Sequence, residues 1–105
     1  MLLATTDTLP GHEIAQTLGL VRGSAIRSRH LLQDFGEWLH NLVGGELHHY
    51  TKMLAETREQ ALDRMRQEAR QLGADAIVGL RITTSKIANG AAEMLVYGTA
   101  VKLVR

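Results

Sequence analysis

Three histidines stand close to a pair of glycines: His40, then Gly44-Gly45, then His48 and His49. Neutral imidazole is the commonest protein ligand for zinc, nickel and copper. His40, His48 and His49 are therefore the candidate ligands for a divalent metal ion. Such a site wants three or four donors in fixed geometry. Glu46 and His49 are three apart and share a helix face. His48 and His49 are adjacent, so one helix splays them by about 100°. Lys52 shares the face of His48 and repels a cation. The spacing falls short of a His-Glu-x-x-His motif. A ring of subunits placing one histidine per copy around an axis would supply the missing donors. The plainer reading is a set of surface or interface histidines on a helix turn.

Gly44-Gly45-Glu46 opens a helix, so its free amides suit an anion. The lysine and serine of a P-loop are missing, and a hinge needing positive backbone angles explains the same glycines. With Tyr50, whose hydroxyl needs a partner, Gly44, Gly45 and Glu46 form the candidate ligand-binding set. No catalytic residue is assigned. Ser24, Ser28 and Ser85 sit in no nucleophile-elbow context. Glu46, the one carboxylate in a suggestive place, is also a first-turn acid favoured by the helix dipole. Arg22, Arg27, Arg29 and His30 make a local basic patch. Without interleaved aromatic residues it reads as a solvated edge, and no nucleic-acid partner is expected.

Composition narrows the field further. The 105 residues predict one domain, 1–105, with a 45% apolar and 22% charged make-up typical of a globular fold. A net charge of +1 gives no bulk attraction to nucleic acid or to an anionic membrane. With no cysteine, disulfides, thiolate metal sites and cysteine nucleophiles are excluded. The N-terminal Met1–Asp7 lacks the charged start and apolar core of a signal peptide. No run approaches the ~20 apolar residues of a membrane span. A cytoplasmic protein is expected.

These residues must be held by elements that the patterning outlines. Leu2–Thr5 reads as a short strand, and Asp7–Gly11 as a turn. Residues 12–28 alternate like a strand, bent near Gly19. Leu31, Phe35, Trp38, Leu39, Leu42 and Val43 recur at three and four, which predicts a short helix ended by Gly44-Gly45. A long helix is predicted from Glu46 to Leu72, with an apolar stripe through Leu47, Tyr50, Leu54, Ala61, Met65, Ala69 and Leu72 and a stop at Gly73. Strands over 76–84 and 93–104 flank Asn89-Gly90, the best short hairpin signal. Small Gly98 and Ala100 suit a close-lying helix. The expected fold is α+β: a two-layer α/β sandwich, with an antiparallel sheet, one long helix on one face and a short preceding helix. The other face still carries Leu95, Tyr97, Val101 and Leu103, which predicts a partner surface and hence self-association.

Val43-Gly44-Gly45-Glu46-Leu47, Tyr50-Thr51, the charged helix, Leu72-Gly73-Ala74-Asp75-Ala76-Ile77-Val78-Gly79 and Tyr97-Gly98-Thr99-Ala100-Val101 come in an order that resembles the YbjQ-like family, also labelled heavy-metal-binding. The resemblance spans essentially the whole chain. It implies a dodecin-like sandwich, a homopentameric ring and a bacterial or archaeal source, and it carries no established activity. The chain departs from the family pattern in two places. His40 stands where an arginine is usual before the asparagine, here Asn41, and His48-His49 replace a common Lys-Gly pair. The expected function is a non-catalytic cytoplasmic pentamer that binds a small ligand or ion or scaffolds a partner. A divalent-cation binder using the histidines is the second reading, and an enzyme centred on Glu46 the third.

Overall fold

The computed structural model describes residues 1–27, 45–88 and 91–105, with backbone alone at 45–50 and 87–88. The elements are β1 (Leu2–Leu3), β2 (Ile14–Arg27), α1 (Gly45–Gln71), β3 (Ala76–Ala88) and β4 (Ala91–Leu103). The short helix expected over 31–43 lies outside the described residues.

The four strands form one sheet in the order β1-β3-β4-β2, and α1 packs on one side of it, giving an α+β sandwich. β2, β4 and β3 are antiparallel neighbours, whereas β1 adds to β3 in parallel, so the sheet is mixed at that edge. The expected hairpin is present: Ala88 pairs with Ala91 across Asn89-Gly90. The expected bend in β2 is a bulge, with register slipping between Thr17 and Gly19 and Gly19 at a φ of 128°. A second bulge interrupts β3 at Gly79, where φ is 63°, a left-handed angle that glycine tolerates. Because of that bulge, Val78 and Leu80 serve opposite sides of the sheet.

Ala61, Met65 and Ala69, spaced by four, bring one helix stripe onto the sheet. They meet Val21 and Ala25 of β2, Val96 and Ala100 of β4, and Ile77 and Leu80 of β3. Gly23 sets the spacing of the layers. A Cβ there would stand 2.1 Å from the Ala61 carbonyl oxygen and 2.5 Å from the Met65 nitrogen, so the helix backbone rests directly on this glycine. Gly98 has a different role from the one its size suggests. A Cβ at Gly98 would meet Ile77 Cγ2 at 2.7 Å, within the sheet rather than against the helix. Thr57 is buried on the same helix stripe, and its hydroxyl donates to the Met53 carbonyl at 2.8 Å. Leu72, expected on the stripe, is exposed beyond the last turn. The helix ends in a Schellman motif: Ala74 N donates to Ala69 O at 3.1 Å and Gly73 N to Arg70 O at 3.0 Å, with Gly73 at a φ of 80°.

The far side of the sheet is covered at one end. The turn closed by His12 N donating to Leu9 O at 2.9 Å places Leu9 and Ile14 over Ala76, Val78, Val101 and Leu103. The expectation of an uncovered face is therefore corrected for Val101, which is buried, and in part for Leu103. It holds further along, where Leu20 is 63% and Tyr97 38% exposed. Asp75 locks the start of β3 to the end of β4. Leu103 N donates to Oδ2 at 2.9 Å, and Arg105 Nη2 reaches Oδ1 at 2.6 Å. The Leu103 amide, aided by Arg105, holds the Asp75 carboxyl below its ordinary pKa, against the opposing effect of partial burial.

Candidate functional site

Gly45, Glu46, His48, His49 and Tyr50 fall in the first turns of α1. Of these residues the structure describes the helical backbone alone, and His40 and Gly44 lie outside the described residues. Further along α1, Thr57 and Ala61 are buried against the sheet, and Lys52, Glu56, Glu59 and Asp63 form an exposed charged row.

The charged row is one wall of an open groove of ≈ 690 Å³ that runs beside the end of β2. Lys52, Glu56, Glu59 and Asp63 line it from the helix and Arg27 from the strand. Two arginines bridge its walls. Arg27 Nη1 donates to Gln60 Oε1 at 3.3 Å, and Arg64 Nη1 donates to the Ser24 carbonyl oxygen. Among the described residues β2 is the edge strand, and the Ser24 and Ile26 carbonyls that point off the sheet are those met by Arg64 and Arg27. By strand alternation the backbone groups of Leu20 and Arg22 point the same way.

The opposite edge is also only partly covered. The segment after β1 pairs with β3 as far as Leu80, whose amide donates to Ala4 O at 3.0 Å. Arg81 then secures that junction, donating to Thr5 O at 2.8 Å and to Leu80 O at 2.8 Å. From Arg81 to Lys86 every side chain is exposed, and no further strand adjoins β3 among the described residues. Sequence reading found neither the groove nor this edge. The edge position of β2 depends on long-range pairing, which local pattern does not reveal. Among the described residues no three His, Cys, Asp or Glu side chains cluster closely enough to hold a metal ion. Nor is any helix among them long and apolar enough to cross a membrane.

A two-layer sandwich with an open-edged sheet and no assembled catalytic group among the described residues is the class these observations define. The chain belongs to the YbjQ family, whose description reads "Putative heavy-metal-binding" and which matches residues 1–104. It is 53% identical to a UPF0145 protein of Methanosarcina acetivorans over 104 residues, covering 99% of this chain and 98% of that one. It is 53% identical to a UPF0145 protein of Thermus thermophilus over 103 residues, covering 98% and 90%. A UPF0145 protein of Vibrio parahaemolyticus is 51% identical over 104 residues, covering 99% of each. These relatives span both archaea and bacteria, and none is named as an enzyme. In structure the chain is similar to a crystallised protein of unknown function from the DUF74 family of Pediococcus pentosaceus. The TM-score is 0.64 at 18% identity, over 99% of this chain and 98% of that one, a likeness of fold.

Proposed function

We propose that the chain works as one subunit of a cytoplasmic, non-catalytic homo-oligomer, a pentameric ring by family resemblance, that binds a small ligand or ion or scaffolds a partner. The observation that carries this is the uncovered half of the sheet. Leu20, Ile26 and Tyr97 are exposed on the side away from α1, Ile82 is exposed on the helix side, and among the described residues no strand covers the outer edge of β2 or the second half of β3. Gly44, Gly45, Glu46 and Tyr50 remain the proposed ligand contacts.

The family description favours a second reading, divalent-metal binding through His40, His48 and His49, with Glu46 three residues before His49 on the same helix. Native mass spectrometry with elemental analysis of one purified sample tests both. A multiple of the chain mass without metal supports the first reading. Stoichiometric zinc, nickel or copper, lost when His48 and His49 become alanine, supports the second. A monomer contradicts the assembly.

A further inference from the structure

In the sequence no aromatic residue stands beside Arg22 or Arg81. The register of the sheet supplies one. Arg22 pairs with Tyr97 across β2 and β4, and Arg81 pairs with the same Tyr97 across β3 and β4. Residues directly opposite share a face, with Cβ atoms about 5 Å apart. Val21 and Ala25 turn to the helix, as do Val96 and Ala100, so the row Arg22-Tyr97-Arg81 stands on the side away from α1. All three residues are exposed. Leu20, diagonal to Tyr97 and also exposed, extends the apolar floor beside the ring. The charge of this row is unbalanced. Glu93 is the only acid in β2, β3 and β4, and it lies four residues along β4 from Tyr97, about 13 Å away. Among the described residues neither arginine forms an ion pair. Arg81 is nevertheless held in place. Its Nη1 donates to Thr5 O and to Leu80 O, both at 2.8 Å, which leaves Nε and Nη2 to donate elsewhere.

A planar base is held by an aromatic face, and a phosphate by guanidinium donors. The row offers both within the reach of neighbouring side chains. Beyond the contacts proposed at Gly44 to Tyr50, we propose that Arg22, Tyr97 and Arg81 form a second site, which binds a nucleotide. The base stacks on the exposed Tyr97 ring, with Leu20 beside it. The phosphate accepts hydrogen bonds from Arg22 and from the free nitrogens of Arg81. Other occupants fit the row less well. A divalent cation meets two positive charges. A second copy presenting the same face sets arginine against arginine, so the row is not self-complementary. An apolar partner buries both guanidinium groups with no acid to pair them. A long nucleic-acid strand gains little from a chain of net charge +1, whereas a mononucleotide needs only the local charge of the row. On an open face without walls the affinity is modest, and titration must reach millimolar ligand.

Titration of the full chain with AMP, followed by amide NMR shifts, tests this, with light scattering on the same sample. AMP shifts the amides of β2 and β4 around Arg22 and Tyr97. Adenosine and inorganic phosphate, each half of the probe, bind at least about tenfold more weakly. Tyr97→Thr keeps a β-branched residue on the strand and weakens AMP binding about tenfold, as the loss of one base stack requires. Arg22→Gln, which breaks no contact within the subunit, also costs about tenfold, and Arg22→Lys recovers part of that loss. No binding of AMP at millimolar concentration, or binding that Tyr97→Thr and Arg22→Gln both leave intact, would overturn the site. Binding of oligodeoxythymidylate without binding of AMP would overturn it in favour of a nucleic-acid surface. AMP binding by a sample that scatters as a monomer would uphold the site and overturn the oligomer reading, and an oligomer that ignores AMP would do the reverse.

Discussion

The two ends of this sheet live in different environments although they share the same strands. Where α1 crosses, Val21, Ala25, Val96 and Ala100 are fully buried, and a single hydrogen at Gly23 is all that the helix backbone allows. A few residues along β3, Ile82 lies on the same side of the sheet with nearly half its surface in water. The contrast does not come from strand composition, since Ile82 is as apolar as Val21. It comes from the path of the helix, which follows β2 and crosses β4 without reaching the open end of β3. An apolar residue left on the helix side of a strand but outside the helix footprint marks surface available to something else.

The comparison can be broken at its tightest point. Gly23→Val forces a branched side chain against the Ala61 carbonyl and the Met65 nitrogen, both backbone atoms that cannot rotate away. We expect a loss of about 3 kcal/mol in urea unfolding, at the upper end of overpacking costs. The same experiment on Gly98→Ala sharpens the distinction between the layers. Its obstacles are Cγ2 of the buried, β-branched Ile77 at 2.7 Å and the Val78 carbonyl at 3.1 Å, one side-chain and one backbone contact where Gly23 meets two backbone atoms, so a somewhat smaller loss of about 2 kcal/mol is expected. Ile82→Thr is the counterpart at the open end. On the dissociated subunit its effect stays within about 0.5 kcal/mol. In the assembly it lowers the melting temperature more, and by an amount that varies with protein concentration.

The smallest expected effect concerns Asp75, whose folded-state pKa is lowered chiefly by the Leu103 amide. A depressed carboxylate stabilises the fold above its unfolded pKa, and that contribution is lost as pH falls through the lower folded value. Asp75→Asn removes this part of the acid sensitivity. Melting curves at pH 7 and in the acid range should therefore differ less for the variant than for the parent chain.

Local features of the fold were readable from residues. The long helix follows from its 3.6-residue period and from Gly73, which takes the left-handed angle that a Schellman stop requires. The hairpin follows from Asn89-Gly90, and the bend in β2 from Gly19. What escaped depends on contacts distant in sequence. Parallel pairing of Leu2 with Ala76 has no local signature. The same is true of Leu9 folding back over Val101, and of Gly23 rather than Gly98 lying beneath the helix. The groove escaped for the same reason, since nothing in the local pattern makes β2 an edge. Of the candidate site, the helix that begins at Gly45 was legible, and the assignments at residues 40 to 50 stand as proposals.

Hydrogen exchange at the Ile82 and Thr84 amides tests most directly whether the uncovered second half of β3 meets another copy in the proposed oligomer. The account predicts slow exchange at high protein concentration that becomes fast on dilution, as the subunits separate. Fast exchange at every concentration, in a sample whose Val96 and Ala100 amides stay protected, would contradict it.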